Sequence, residues 1–286
     1  MADGFVQGTG VIGYAESMKP LLRPRNSRRD NRVFVGTVVL PDGKHRSRAF
    51  VKLFPPGVRY QCVYNEVVAR NLARQCDLPS PMTFACACPR RLLDGEMAAQ
   101  SSNEPPSDFV LGVASISAQP RPVKQRLDDF SAAWEDLSCW PRITDLAVFD
   151  ELIANDDRHL SNLLRLGSRN YVLIDNERIL FGTQWFGTDL ESLISRRLDA
   201  NIIADSIAMG ADEIMKRRML TAAREYALKK VLRVPSWHRE LEGITRAPGG
   251  ATEDLIQMLN KRRQKLGGLL QWHLQKGDLF DAGAFR

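Results

Sequence analysis

The prolines at 120 and 122 separate two stretches of this chain whose apolar residues follow different periods. Before them, short β-branched or aromatic runs are bounded by turn-formers; after them, apolar residues recur at helical spacing. Residues 10–18 (GVIGYAESM), 33–40 (VFVGTVVL) and 47–54 (SRAFVKLF) predict three antiparallel strands, with the turn dipeptide Asp42-Gly43 between the second and third. A helix follows over 58–76 and ends at Leu78-Pro79-Ser80-Pro81, because proline cannot continue the ladder. Residues 82–88 and 109–118 read as two further strands flanking a polar surface loop.

Beyond the prolines, 145–153 has the spacing of a buried helix. A hairpin is expected from NLLRL at 162–166, a GSRN turn and YVLID at 171–175. Helices are expected over 189–209, 211–232 and 251–275, with breaks at Pro235 and Gly249-Gly250. The layout is α+β and bilobal: residues 1–120 form a small antiparallel sheet with one helix, and 121–286 form a mostly helical lobe.

With 286 residues, 44% hydrophobic and 26% charged, the composition excludes disorder, collagen and coiled coil. No apolar run reaches the roughly 18 residues of a membrane span, and MADGFVQGTG does not read as a secretory leader, so a cytoplasmic protein is expected. Five cysteines, an odd number in a chain of this size, read as free thiols. Cys86 and Cys88 have no C-x-x-C partner, which argues against zinc. Residues 19–33 hold six basic side chains against one acid, a cluster suited to phosphates or to a solvated loop. The five tryptophans are expected in the core or between packed elements.

The chemistry concentrates at 155–177, NDDRHLSNLLRLGSRNYVLIDNE. Asp157 precedes the hairpin, Asn162 opens its first strand and Asp175 closes its second. In a tight hairpin those last two project from neighbouring positions at one end. Two adjacent oxygen ligands suit Mg²⁺, and Asp157 is then placed to accept a hydrogen bond from an attacking hydroxyl. Singly, each has an ordinary reading as a turn or cap residue. Together they flank strongly apolar strands, where carboxylates without partners are unfavourable.

N-D-D-R-H-L-S-N followed by L-I-D-N-E resembles the HipA-like kinases, which share D-R-H-x-x-N and a later I-D with phosphoinositide-type kinases. The resemblance implies a protein-kinase-like fold, with a lysine on the third strand of the small lobe and a glutamate on the next helix. Lys52 in RAFVKLF and Glu66 in YNEVVARNLA occupy those places. Glu66 also shares a helical stripe with the small residues Cys62, Ala69 and Ala73, where a charge wants a partner. Their ordinary readings are an edge-strand lysine and a helix-surface acid. The segment VPSWHRELE is similar to the same family.

What the resemblance implies is an ATP- and Mg²⁺-dependent kinase acting on a protein serine or threonine. Asp157 would orient the hydroxyl, Lys52 would hold phosphates, Glu66 would steady Lys52, and Asn162 and Asp175 would hold metal. Lys52 and the three oxygen-bearing groups are expected to converge across one cleft. HipA proteins pair with a DNA-binding antitoxin, so a regulatory protein partner is implied and direct nucleic-acid binding is not.

Two features depart from the protein-kinase pattern. The phosphate loop lacks G-x-G-x-x-G and is instead the basic stretch LLRPRNSRRDN, with Ser27 the nearest candidate for self-phosphorylation. Asp175 is followed by Asn176-Glu177 in place of Phe-Gly, so a Phe-dependent switch does not carry over. Adenine is expected on the backbone near Val113 to Ile116. Two other readings compete: a small-molecule or lipid phosphotransferase on this scaffold, and a noncatalytic nucleic-acid binder using 19–33.

Overall fold

A computed structural model describes residues 11–20, 32–93, 108–116, 130–210 and 213–281. It is a mixed α+β structure that divides into two compact units. The first gathers residues 1–68, 81–118 and 235–250; the second gathers 69–80, 119–234 and 251–286.

The first unit is built on five strands: β1 (Ile12–Pro20), β2 (Arg32–Val39), β3 (Arg46–Leu53), β4 (Met82–Pro89) and β5 (Phe109–Ile116). All five stand where the sequence places them. The expected antiparallel sheet instead closes into a barrel, in the order β1-β2-β3-β5-β4. Closure comes from a parallel pairing of β1 with β4, Gly13 lying opposite Cys86. Pairing between strands so far apart leaves no local signal in either one.

Inward positions alternate along each strand. Phe34 and Val38, Ala49, Val51 and Leu53, Phe84, Cys86 and Cys88, and Val110 and Ala114 are buried in one cluster. At Gly112 the neighbouring strands approach so closely that a Cβ would lie 2.8 Å from the Lys52 carbonyl oxygen. The Asp42-Gly43 turn forms as expected: Gly43 takes a φ of +70°, and Asp42 Oδ1 accepts from the amides of Lys44 (2.9 Å) and His45 (3.1 Å). Helix α1 (Arg59–Gln75) follows β3, and its stripe of Cys62, Glu66, Ala69 and Ala73 is buried. A short helix that follows Trp237, inside the VPSWHRELE segment, belongs to the same unit.

The second unit carries α2 (Phe130–Ser138), α3 (Ile143–Leu152), the hairpin β6 (Leu163–Gly167) and β7 (Asn170–Leu173), α4 (Leu190–Leu193), α5 (Ile202–Gly210) and α6 (Glu213–Lys229). The short helix of the first unit is α7 (His238–Thr245), and α8 (Ala251–Arg263) and α9 (Leu266–Asp281) return to the second. Nine of the ten residues of α3 are buried, as its apolar sequence requires.

The helix expected over 189–209 is two helices. Arg262 Nη1 donates to the carbonyls of Leu193 (2.6 Å) and Arg196 (2.6 Å), and Asn201 Oδ1 caps α5 by accepting from Ala204 N (3.1 Å). The helix expected over 251–275 likewise breaks between Arg263 and Leu266. Trp140 and Trp185 are buried. All five cysteines are free thiols, four of them buried. Among the described residues no helix is long and apolar enough to cross a membrane.

Candidate functional site

In the first unit, Lys52 stands on β3 between Val51 and Leu53, which point into the barrel, so its side chain leaves the opposite face. Strand β3 is internal, flanked by β2 and β5, and Lys52 is only 9% exposed. The edge-strand reading of this lysine is therefore replaced by a buried one. Its Nζ lies 3.3 Å from Glu66 Oε1 and 5.0 Å from the centre of the Phe54 ring. Glu66 is 6% exposed, which removes the helix-surface reading as well.

Strand β5 offers less to adenine than expected. Val113, Ala114 and Ser115 pair with Lys52, Val51 and Phe50 on one side and with Ala85, Phe84 and Thr83 on the other. Their backbone groups are committed to the barrel, whereas Ile116 pairs, among the described residues, only with Met82 of β4. Ser27 and the core of the basic stretch lie outside the described residues.

In the second unit, a short 3-10 turn over Leu160–Asn162 leads into β6, and Leu163 pairs with Leu173. Asn162 and Asp175 therefore share the open end of the hairpin. Asn162 sits opposite Ile174, whose amide donates to the Asn162 carbonyl at 3.0 Å, and Asp175 is one residue further on. Asp175 has a φ of +56°, a left-handed conformation that Asp and Asn tolerate better than most side chains. Ala154, Leu180 and Phe181 nearby also have positive φ. Such backbone is held in place by the amides of Leu180 and Phe181, which donate at 2.9 Å to the carbonyls of Ile153 and Ala154.

Asn162 is 1% exposed, and its Nδ2 donates to the Asp157 carbonyl at 2.8 Å. Because a carbonyl only accepts, this bond fixes which amide atom is nitrogen. The remaining atom, Oδ1, is buried with no hydrogen-bond partner among the described residues. A buried amide oxygen left this way fits a hard cation that takes oxygen ligands, such as Mg²⁺. Asp157 itself is half-buried, and burial pushes its carboxyl above the usual range against the opposing charges of His159 and Arg178. Arg178 pairs with the neighbouring Asp156 through two bonds of 3.0 and 3.1 Å.

The hairpin is anchored at its turn end. Asp136 on α2 accepts from Tyr171 Oη (2.5 Å), Arg165 Nε (3.0 Å), Ser168 Oγ (3.2 Å) and the Arg169 amide (3.3 Å). At its open end lies Arg158, 5% exposed and bonded to the fully buried Asp150 of α3. Burial pushes the Asp150 carboxyl upward, and the Arg158 charge opposes it. Asp150, Asn155, Arg158 and Asn176 carry no role in the motif pattern of the sequence. The available signal was Asp150 itself, an acid inside the apolar run DLAVFDELI.

No family model and no curated protein matches the chain. Among solved structures it is similar to a Helicobacter pylori proinflammatory kinase, CtkA, at 14% identity and a TM-score of 0.49, over 92% of this chain and 98% of that one.

Proposed function

We propose that this chain is an ATP- and Mg²⁺-dependent kinase of the HipA-like type, transferring the terminal phosphoryl group to a serine or threonine hydroxyl of a protein. The observation that carries the reading is the buried Asn162 Oδ1, left without a partner among the described residues at the hairpin end it shares with Asp175. In this reading Asn162 and Asp175 hold Mg²⁺, which supplies neutralisation of phosphate charge. Lys52, steadied by Glu66, holds phosphate oxygens of ATP.

Asp157 accepts a hydrogen bond from the attacking hydroxyl and takes its proton as the new O–P bond forms and the bond to ADP breaks. Its raised carboxyl makes it a stronger proton acceptor than a surface aspartate once ionised. Self-phosphorylation at Ser27, a regulatory or antitoxin partner, and action in the cytoplasm belong to the same reading.

The test is incubation with ATP labelled on its terminal phosphate, Mg²⁺ and a cell lysate, in parallel with Asp157→Ala. Label in protein that disappears with the variant is expected. Label confined to small-molecule or lipid fractions would change the acceptor class, and no Asp157-dependent label in any fraction would remove the assignment.

A further inference from the structure

The candidate groups of the second unit all trace back, through hydrogen bonds, to one buried carboxylate. Asp150 Oδ1 accepts from Arg158 Nη2 at 2.9 Å, and its Oδ2 accepts from Arg158 Nε at 2.9 Å. The remaining donors of that guanidinium go to the hairpin: Nη1 to the carbonyls of Asn162 (3.3 Å) and Ile174 (3.2 Å), and Nη2 to Asn176 Oδ1 (2.7 Å). Those are residue 162 itself and the two chain neighbours of Asp175. A second route leaves the same carboxylate: Asn155 Nδ2 donates to Asp150 Oδ1 at 3.4 Å, and Asn155 Oδ1 accepts the Asp157 amide at 3.1 Å.

We propose that Asp150 and Arg158 are positioning residues with two separable outputs. Through the Arg158 fork they set the spacing of Asn162 from Asp175; through Asn155 they fix Asp157. The inference rests on the phosphotransferase reading. A buried ion pair is seldom needed for stability, since apolar residues of similar volume often serve as well. What an apolar side chain cannot do is grip two main-chain carbonyls and a side-chain amide at fixed separation. Lysine cannot do it either, being a point charge where arginine is a rigid planar fork.

The separation of outputs supplies the test, with Mn²⁺ as the probe of the cation site. Arg158→Lys keeps the countercharge of Asp150 and loses the fork; its Mn²⁺ affinity should fall by about tenfold or more. Asn155→Ala leaves the hairpin grip intact; turnover at saturating ATP should fall by about 10²-fold while Mn²⁺ affinity holds within about twofold. Ile256→Val, a mild change in the buried face of α8, should lower the melting temperature and move neither readout. Should Arg158→Lys not fold, Asn176→Ala removes one bond of the fork and should weaken Mn²⁺ binding by about threefold.

Wild-type Mn²⁺ affinity in the fork variant, or loss of both readouts together in both variants, overturns the positioning roles and leaves the kinase reading standing. A wild-type chain that neither binds Mn²⁺ nor transfers phosphate overturns both.

Discussion

Lys52 Nζ and Glu66 Oε1 lie 3.3 Å apart, with side chains 11% and 8% exposed. Removing one partner leaves the other charge buried, which costs about 3–5 kcal/mol, whereas removing both together costs far less. Lys52→Met should therefore destabilise the fold more than Lys52→Met combined with Glu66→Leu, read by urea denaturation. A double variant less stable than either single one would contradict the buried pair.

Burial raises the Asp157 carboxyl, so its proton persists to higher pH than on a surface aspartate. Phosphoryl transfer that needs the ionised form should fall on the acid side above the ordinary carboxylate range. Arg178 lowers this carboxyl, so Arg178→Gln should move that limb further up. A limb unmoved by Arg178→Gln would detach the profile from Asp157.

The five strands, the tight turn at Gly43 and the hairpin were legible because each is written in local period and turn chemistry. Barrel closure was not, since Gly13 meets Cys86 only after distant strands pair. The break between α4 and α5 was hidden for a related reason: Arg262, far along the chain, satisfies the carbonyls that end α4. Among the candidate residues, the types at 52 and 66, and separately those at 157, 162 and 175, were readable as patterns. The order of Asn162, Ile174 and Asp175 at the hairpin mouth depended on register, and the Asp150–Arg158 grip on tertiary packing.

His273 sits between two carboxylates, Nδ1 at 2.7 Å from Asp205 Oδ1 and Nε2 at 3.2 Å from Glu151 Oε2. Burial pulls the ring down, but hydrogen bonds to Asp205 and Glu151 win and raise it from 6.5 to about 8. A folded value above the unfolded one stabilises fully below pH 6.5, and that contribution is lost as pH rises through about 8. The melting temperature should decline across this window in the wild type, and His273→Gln should flatten the decline. An equally steep decline in the variant would contradict it.

The Tyr171 hydroxyl donates to Asp136, and this bond, ahead of those from Arg165 and the Arg169 amide, holds the carboxyl at about 2, below the usual 3.8. A depressed carboxyl contributes fully above pH 3.8, and the contribution is lost as pH falls toward 2. Tyr171→Phe should cost about 1–2 kcal/mol at neutral pH and shrink the acid-side loss. Unchanged stability at both pH values would show that the hairpin does not depend on this anchor.

Asp175→Asn removes the carboxylate assigned to the cation without disturbing its backbone. Asparagine matches aspartate in size and tolerates the left-handed backbone at φ +56°, so the fold survives while one carboxylate is removed. Transfer of the terminal phosphate at saturating ATP and Mg²⁺ should fall by about 10²–10⁴-fold. Transfer equal to the wild type, in a variant with an unchanged melting temperature, would contradict the assignment.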